Sequence, residues 1–313
     1  MYHLLKKIST ISRAWLARIF DMPYLLLPLA PLFWSGNFIV GRAVRTALPP
    51  IGLAFWRWCL SALIVVSVAR PHLVRDWPAI RAHWKILALL SVCGIAAFNT
   101  LVYTGLQFTS AINGILLQSA IPVCIVVMSY LLFRETVTLL QTGGILISLA
   151  GAVVIITQGN LAIFTHLALN IGDLLIIIAV LSYAVYSALL RKRPPLHPLS
   201  VLAVTFTLGA LILLPFYIWE HVFRQIMPVT RLTLIAVGYV AIFPSIVAYL
   251  CYNRGVELLG VNRAGLFIHL MPVFGSLLAI ALLGEAFRWY HALGIALIIT
   301  GIALTTRRPR RPR

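Results

Sequence analysis

Of 313 residues, 61% are apolar and only 10% charged, with a formal net charge of +18 and a mean hydropathy of +0.99. A soluble domain carries about 45–50% apolar and ~25% charged residues, so a water-facing globule would lack the polar groups to cover its surface. Disordered, collagenous and disulfide-stapled secreted chains are excluded by the same arithmetic. The chain reads as a polytopic membrane protein.

Residues 1–21 mix Lys6, Lys7, Arg13 and Arg18 with apolar residues. They lack a clean hydrophobic stretch or small-residue cleavage site, so an amphipathic segment on an anionic inner leaflet is expected rather than a signal peptide. Ten apolar runs follow, near 22–41, 50–69, 86–107, 110–132, 138–157, 171–190, 199–219, 231–253, 262–284 and 290–306. About 20 apolar residues cross ~30 Å of hydrocarbon as a helix. These runs do not alternate and are about twice the length of a barrel strand, so an all-α integral membrane fold of ten transmembrane helices is expected. The domain reading is 22–157 and 171–306 as two five-helix halves, 158–170 as a linker and 307–313 as a basic tail.

With these spans, 19 of the 25 Lys and Arg residues fall on the side of the termini and 5 on the other, leaving Arg57 inside a span. The positive-inside rule then places both termini in the cytoplasm, in a plasma membrane of the bacterial inner-membrane type. Trp77 and Trp84 on one side, and Trp219 and Trp289 on the other, suit interfacial belts. No segment offers the basic groove that nucleic acid requires. Cys59, Cys93, Cys124 and Cys251 lie inside apolar runs without metal or disulfide spacing, and read as free, buried thiols.

Shifting the chain by 150 residues aligns 105–151 with 255–301, and nine of those 47 positions are identical. Gly105/Gly255, Pro122/Pro272, Glu135/Glu285, Gly144/Gly294 and Gly151/Gly301 are the informative matches in so apolar a sequence. A shift of 149 pairs Trp34 with Tyr183, Asn37 with Tyr186 and Arg42 with Arg191. Five spans per copy is odd, so the copies enter the membrane from opposite sides. Two inverted five-helix repeats provide the geometry of alternating access around a midplane site.

Several segments together resemble the EamA-type drug/metabolite transporter superfamily. They are Trp34-Ser35-Gly36-Asn37-Phe38, Phe55-Trp56-Arg57-Trp58, Tyr103-Thr104-Gly105-Leu106 with Thr109-Ser110-Ala111, Pro122 and Pro272, and Leu283-Gly284-Glu285. Phe133-Arg134-Glu135 departs from the pattern by lacking the Gly of the second half. The resemblance implies ten helices in two inverted repeats and carriage of small metabolites, often efflux of amino acids or related compounds. It does not fix the substrate.

Arg57 is the most informative residue, because an Arg at depth costs at least ~2.5 kcal/mol and should face the bundle interior or a wet cavity. No Asp or Glu lies mid-span to pair with it, and its counterpart is Thr205. A substrate carboxylate or phosphate would supply the missing anion; the alternatives are an Arg held by helix carbonyls or one snorkelling between Trp56 and Trp58. The expected substrate-binding set is Trp34, Asn37, Arg57, Asn99, Tyr103, Ser119, Tyr183, Tyr186, Tyr249 and His269, with Gln118 beside Ser119. Asn99/Tyr249 and Ser119/His269 are equivalent positions, so helices 3, 4, 8 and 9 are expected around one cavity. For any single Asn, Gln or Ser, plain interhelical hydrogen bonding is the competing role. His269 reads more readily as a neutral imidazole bonded to a neighbouring helix than as a proton carrier. Pro122 and Pro272 are expected as hinges, or as static kinks, with Pro31 and Pro244 as further bends. Glu135 and Glu285 are expected to cap spans 5 and 10.

A carrier for a small organic solute is therefore the first expectation, exporting amino acids or related compounds. Efflux of hydrophobic or cationic drugs is the alternative, weakened by the lack of an acid in the spans. A lipid-modifying membrane enzyme would need paired carboxylates, an HExxH motif or a nucleophile with its base, and none is present. No cofactor, metal, nucleic acid or obligate protein partner is expected; the partners are the small-molecule substrate and the bilayer.

Overall fold

The computed structural model describes residues 20–160, 162, 170–283 and 286–306. Most of the segments 1–21 and 158–170, the tail 307–313, and Gly284 and Glu285 lie outside the described residues. Among the described residues ten helices are long and apolar enough to span a membrane: α1 Pro23–Val44, α2 Pro50–Ala82, α3 Trp84–Gly105, α4 Asn113–Phe133, α5 Leu139–Ile156, α6 Ile171–Lys192, α7 Pro198–Phe223, α8 Arg231–Leu259, α9 Val261–Leu278 and α10 Trp289–Thr306. There is no strand among the described residues. The helices form two inverted repeats, α1–α5 and α6–α10, and their contacts are related by the pseudo-twofold axis. Thus α2 packs on α7, α5 on α10, α1 on α8 and α9, and α6 on α3 and α4.

The α5–α10 seam explains two of the three glycine pairs that mark the repeat, Gly144/Gly294 and Gly151/Gly301. A Cβ on Gly151 would lie 2.7 Å from the Gly294 carbonyl oxygen, and one on Gly144 2.7 Å from that of Gly301. Small residues let two backbones touch where lipid gives no hydrophobic drive to association. Gly151→Ala is therefore expected to lower stability by ~1–3 kcal/mol through overpacking. Gly143→Ala, where nothing lies within 4 Å of the new Cβ, should leave the thermal midpoint in detergent unchanged or raised.

Two expectations need correction. The segment after span 2 is no loop, because α2 continues to Ala82 through Pro71 and Pro78. Packing outweighs the two prolines: Ile80 joins Leu87, Leu196 and Val201 in a separate apolar cluster, and the Asp76 carboxylate accepts the His197 amide at 2.9 Å. His197 in turn accepts the Leu199 amide on Nδ1 at the start of α7. Burial, and then the neighbouring His72, hold it below the ordinary imidazole range, which suits the neutral ring that capping requires. Nor does Glu135 cap α5. Thr138 and Gln141 form the capping box, and Glu135 pairs with Arg191 instead. Trp77, Trp84, Trp219 and Trp289 are all exposed, as belt residues would be. The four cysteines are free as expected, but only Cys251 is buried, while Cys59, Cys93 and Cys124 are half-buried among the helices.

Candidate functional site

Four helices break at two pairs of equivalent depths, and the breaks build the site. In α3 the turn Ser91–Ala97 is π-helical, and in α8 so is Ile242–Val247. A π turn releases backbone carbonyls from the i→i−4 ladder, and here the side chains of other helices take them. The Tyr249 hydroxyl donates to Gly94 O at 2.6 Å, and Trp34 Nε1 donates to Pro244 O at 3.0 Å. In α4 the helix is interrupted at Ser119–Ala120, just before Pro122. In α9 a 3-10 turn, Phe267–His269, precedes Pro272. Both prolines thus stand at breaks, as hinges or kinks would.

Arg57 lies at the centre, 1% exposed. Its Nε donates to Ser245 Oγ at 2.6 Å, and Nη2 to Pro244 O at 3.1 Å. Nη1 reaches Asn37 Oδ1, Asn99 Oδ1 and Tyr103 OH at 3.0, 2.8 and 2.9 Å. The guanidinium also stands 4.7 Å from the Trp58 ring centre. It does not snorkel, and its hydrogen-bond partners are all neutral. The buried acids serve other groups: Glu220 takes the amides of Ile51 and Gly52 at the start of α2, and Asp173 takes the Thr109 hydroxyl. A buried charge without a counterion costs several kcal/mol even after relaxation, and Arg57 is held in that state.

A cavity of about 20 Å³ lies against this cluster, lined by Trp34, Asn37, Asn99, Gln118 and Tyr183 among others. It has room for about one water, so the centre is occluded. Three of its lining groups, Asn99 Nδ2, Gln118 Nε2 and the Tyr183 hydroxyl, are buried without a hydrogen-bond partner. Arg57 can only donate, so it fixes the amide oxygen of Asn99 toward itself and turns the NH2 away. The Tyr249 hydroxyl lies beside Asn99 and donates to Gly94 O, with no hydrogen bond to Asn99 Nδ2. All three orphans can donate, and the Tyr183 hydroxyl can also accept. They call for an acceptor-rich ligand, because a buried donor left unmade costs about 1–3 kcal/mol.

The remaining expected residues stand behind this wall. Tyr103 OH donates to Asn37 Oδ1 at 2.6 Å, and Tyr186 OH donates to Asn253 Oδ1 at 2.9 Å. Asn37 and Tyr186 are equivalent, as are Tyr103 and Asn253, so each repeat ties its first helix to its third by the same bond with the residue types exchanged. Tyr249 packs edge-on against Trp34, Trp58 and Phe206. The ring nitrogens of His269 meet Ser148 Oγ and Ser119 O, each at 2.8 Å. A neutral imidazole satisfies both, donating to the carbonyl and accepting the hydroxyl, and so joins α9 to α5 and α4. The Ser119 hydroxyl bonds within its own helix. Ser245, Asn253 and Tyr252, whose hydroxyl meets Ser187, were absent from the expected set. The 150-residue shift that pairs Asn99 with Tyr249 also pairs Tyr103 with Asn253, and would have found one of them.

The two ends of the molecule differ. On the side of the termini, Glu257 pairs with Arg193 at 2.5 Å and with Arg254 at 2.9 Å; Arg254 also pairs with Asp21, and Arg191 with Glu135 at 3.1 Å. These bonds tie α1, the α4–α5 turn, α6 and α8 together. On the opposite side a cavity of about 660 Å³ opens among α1, α4, α5, α9 and α10. Phe38 and Met271 line it and the central cavity alike.

A ten-span inverted repeat with a closed centre, one tied end and one open end has the build of a membrane carrier. The chain belongs to the EamA-like transporter family, whose model matches residues 21–157 and 170–307. It is similar to the uncharacterized transporter YyaM of Bacillus subtilis, 26% identical over 89% of this chain and 92% of that one. A chloroplastic WAT1-related protein of Arabidopsis thaliana is 25% identical over 88% of this chain and 67% of its own. An S-adenosylmethionine/S-adenosylhomocysteine transporter of Chlamydia trachomatis is 26% identical, covering 91% and 89%. A solved crystal structure superposes with a TM-score of 0.74 at 20% identity, over 91% of this chain and 96% of that one, and has the same fold. Family and relatives mark a transporter rather than an enzyme.

Proposed function

We propose that the protein exports small metabolites bearing a carboxylate, amino acids or related compounds, by alternating access between its two repeats. The observation that carries this is the central cavity, where unpartnered buried donors on Asn99, Gln118 and Tyr183 front the uncompensated charge of Arg57. A carboxylate offers acceptor lone pairs and negative charge together. S-adenosylmethionine is itself an amino-acid derivative, so the Chlamydia relative's name supports this class of solute. The Lys and Arg asymmetry supports a tied end in the cytoplasm and an open end outside, with the plasma membrane as the proposed location. The centre must widen to admit a solute, and the paired helix breaks at Pro122 and Pro272 are where α4 and α9 would bend.

Asn99→Asp tests this reading. It sets an anion against Arg57 with little change of volume, so the fold should persist while the site loses its attraction for carboxylates. In proteoliposomes, counterflow of labelled zwitterionic and anionic amino acids is expected to drop by at least ~10-fold, the worth of one charge-assisted hydrogen bond. The aromatic lining also fits the alternative, efflux of hydrophobic cations. In that case the same substitution should raise cation transport, and wild type itself should not move the amino acids.

A further inference from the structure

The 660 Å³ cavity on the side opposite the termini has a chemistry of its own. Arg42 and Arg45, from the last turn of α1 and its cap, line it; among the described residues no Asp or Glu does. Neither arginine is ion-paired with a described residue. The deeper walls are apolar, including Phe38, Ile155 and Met271. Gln158 completes the lining from the end of α5, with an unusual backbone. Its φ is +54°, and Gly159 N bonds Val154 O while Gln158 N bonds Ile155 O. That is a helix-ending turn whose left-handed position usually belongs to glycine. A glutamine there is held at a conformational cost, and Gln158 lines the cavity.

We propose that this cavity is a second binding site, for a solute with an anionic head and an apolar body. The head lies between Arg42 and Arg45 with Gln158 as a neutral donor, and the body lies against Phe38 and Ile155. Charge complementarity selects the head and the walls select the body. The site adjoins the central cavity through Phe38 and Met271, while Arg42, Arg45 and Gln158 line the outer cavity alone. A free amphipathic carboxylate and the head group of an anionic lipid share this chemistry.

Equilibrium binding of tritiated 4-phenylbutyrate to the full chain in neutral maltoside micelles tests the site, with 4-phenylbutyramide as the uncharged counterpart. Wild type should bind the acid saturably and at least tenfold tighter than the amide. Arg42→Gln/Arg45→Gln should abolish that difference with an unchanged thermal midpoint, because both side chains are exposed. Asn99→Asp should bind as wild type does. In nanodiscs, competition by phosphatidylglycerol would identify a lipid as the occupant, and its absence a free solute; either supports the site. Equal affinity in wild type and the double variant overturns it. So does loss of binding in Asn99→Asp alone, which would assign the acid to the central cavity.

Discussion

Arg57→Met should leave the protein nearly as stable as wild type while carboxylate transport collapses. The hydrogen bonds around Arg57 decide the first half. Four of its five partners keep another bond when it goes: Ser245 still donates to Val240 O, Pro244 O still accepts Trp34, and Tyr103 and Asn37 still hold each other. Only Asn99 Oδ1 is stranded, at about 1–3 kcal/mol. Release of the desolvated charge offsets this by several kcal/mol, and methionine fills most of the volume. The net change should stay within about 2 kcal/mol. Transport is another matter. A positive charge about 7 Å from a bound carboxylate, at an effective dielectric constant of about 20, attracts it by ~2.4 kcal/mol, about 50-fold in affinity. Arg57→Lys keeps the charge but not the planar fork, and should fall between the two. Thermal unfolding in detergent and counterflow in proteoliposomes measure the two quantities on one preparation. A large loss of stability with unchanged counterflow would make Arg57 a structural tie and empty the site of its electrostatic role.

Most of the fold was legible because lipid imposes one dominant rule: twenty apolar residues in succession. Where a helix leaves the membrane the rule lapses, so the extension of α2 past residue 69, basic and twice interrupted by proline, resembled a loop until its packing against α7 was visible. The repeat was legible through glycines, and the structure gives the cause, since Gly151 and Gly294 sit where two backbones touch. The site was legible as a set of types but not as layers. Trp34, Asn37, Asn99 and Tyr183 line the cavity, whereas Arg57, Tyr103, Tyr186, Tyr249 and His269 act from behind it on other side chains or on freed carbonyls. The π turns that free those carbonyls leave no periodic trace in so apolar a sequence. The exchange of Asn and Tyr between repeats hid a conserved bond beneath unlike residues: symmetry preserved the interaction and not the amino acid.

The same twofold logic makes the tied end a latch with a measurable strength. Opening the side of the termini requires Asp21 to leave Arg254 and Glu135 to leave Arg191, and these contacts join the two repeats. Glu257 holds Arg193 and Arg254 in place within the second repeat. Exposed pairs contribute only about 0.2–1 kcal/mol each, but Asp21→Lys with Glu135→Lys would lose both inter-repeat pairs and set a cation against each arginine. A swing of ~2–3 kcal/mol follows, about 30- to 100-fold in the ratio of the two conformations. Cys251, buried on α8 about 9 Å from Glu257 along the helix, reports on that end once Cys59, Cys93 and Cys124 are changed to serine. Ser276→Cys reports on the opposite cavity, which Ser276 lines. In the variant, an impermeant maleimide should label Cys251 faster and the residue 276 thiol more slowly. High salt should produce a weaker version of the same change in wild type, because it screens the pairs. Reciprocity is the decisive feature: two rates that rise together would signify a loosened bundle, and two that stay fixed would show that apolar packing holds the end shut and the ion pairs are incidental.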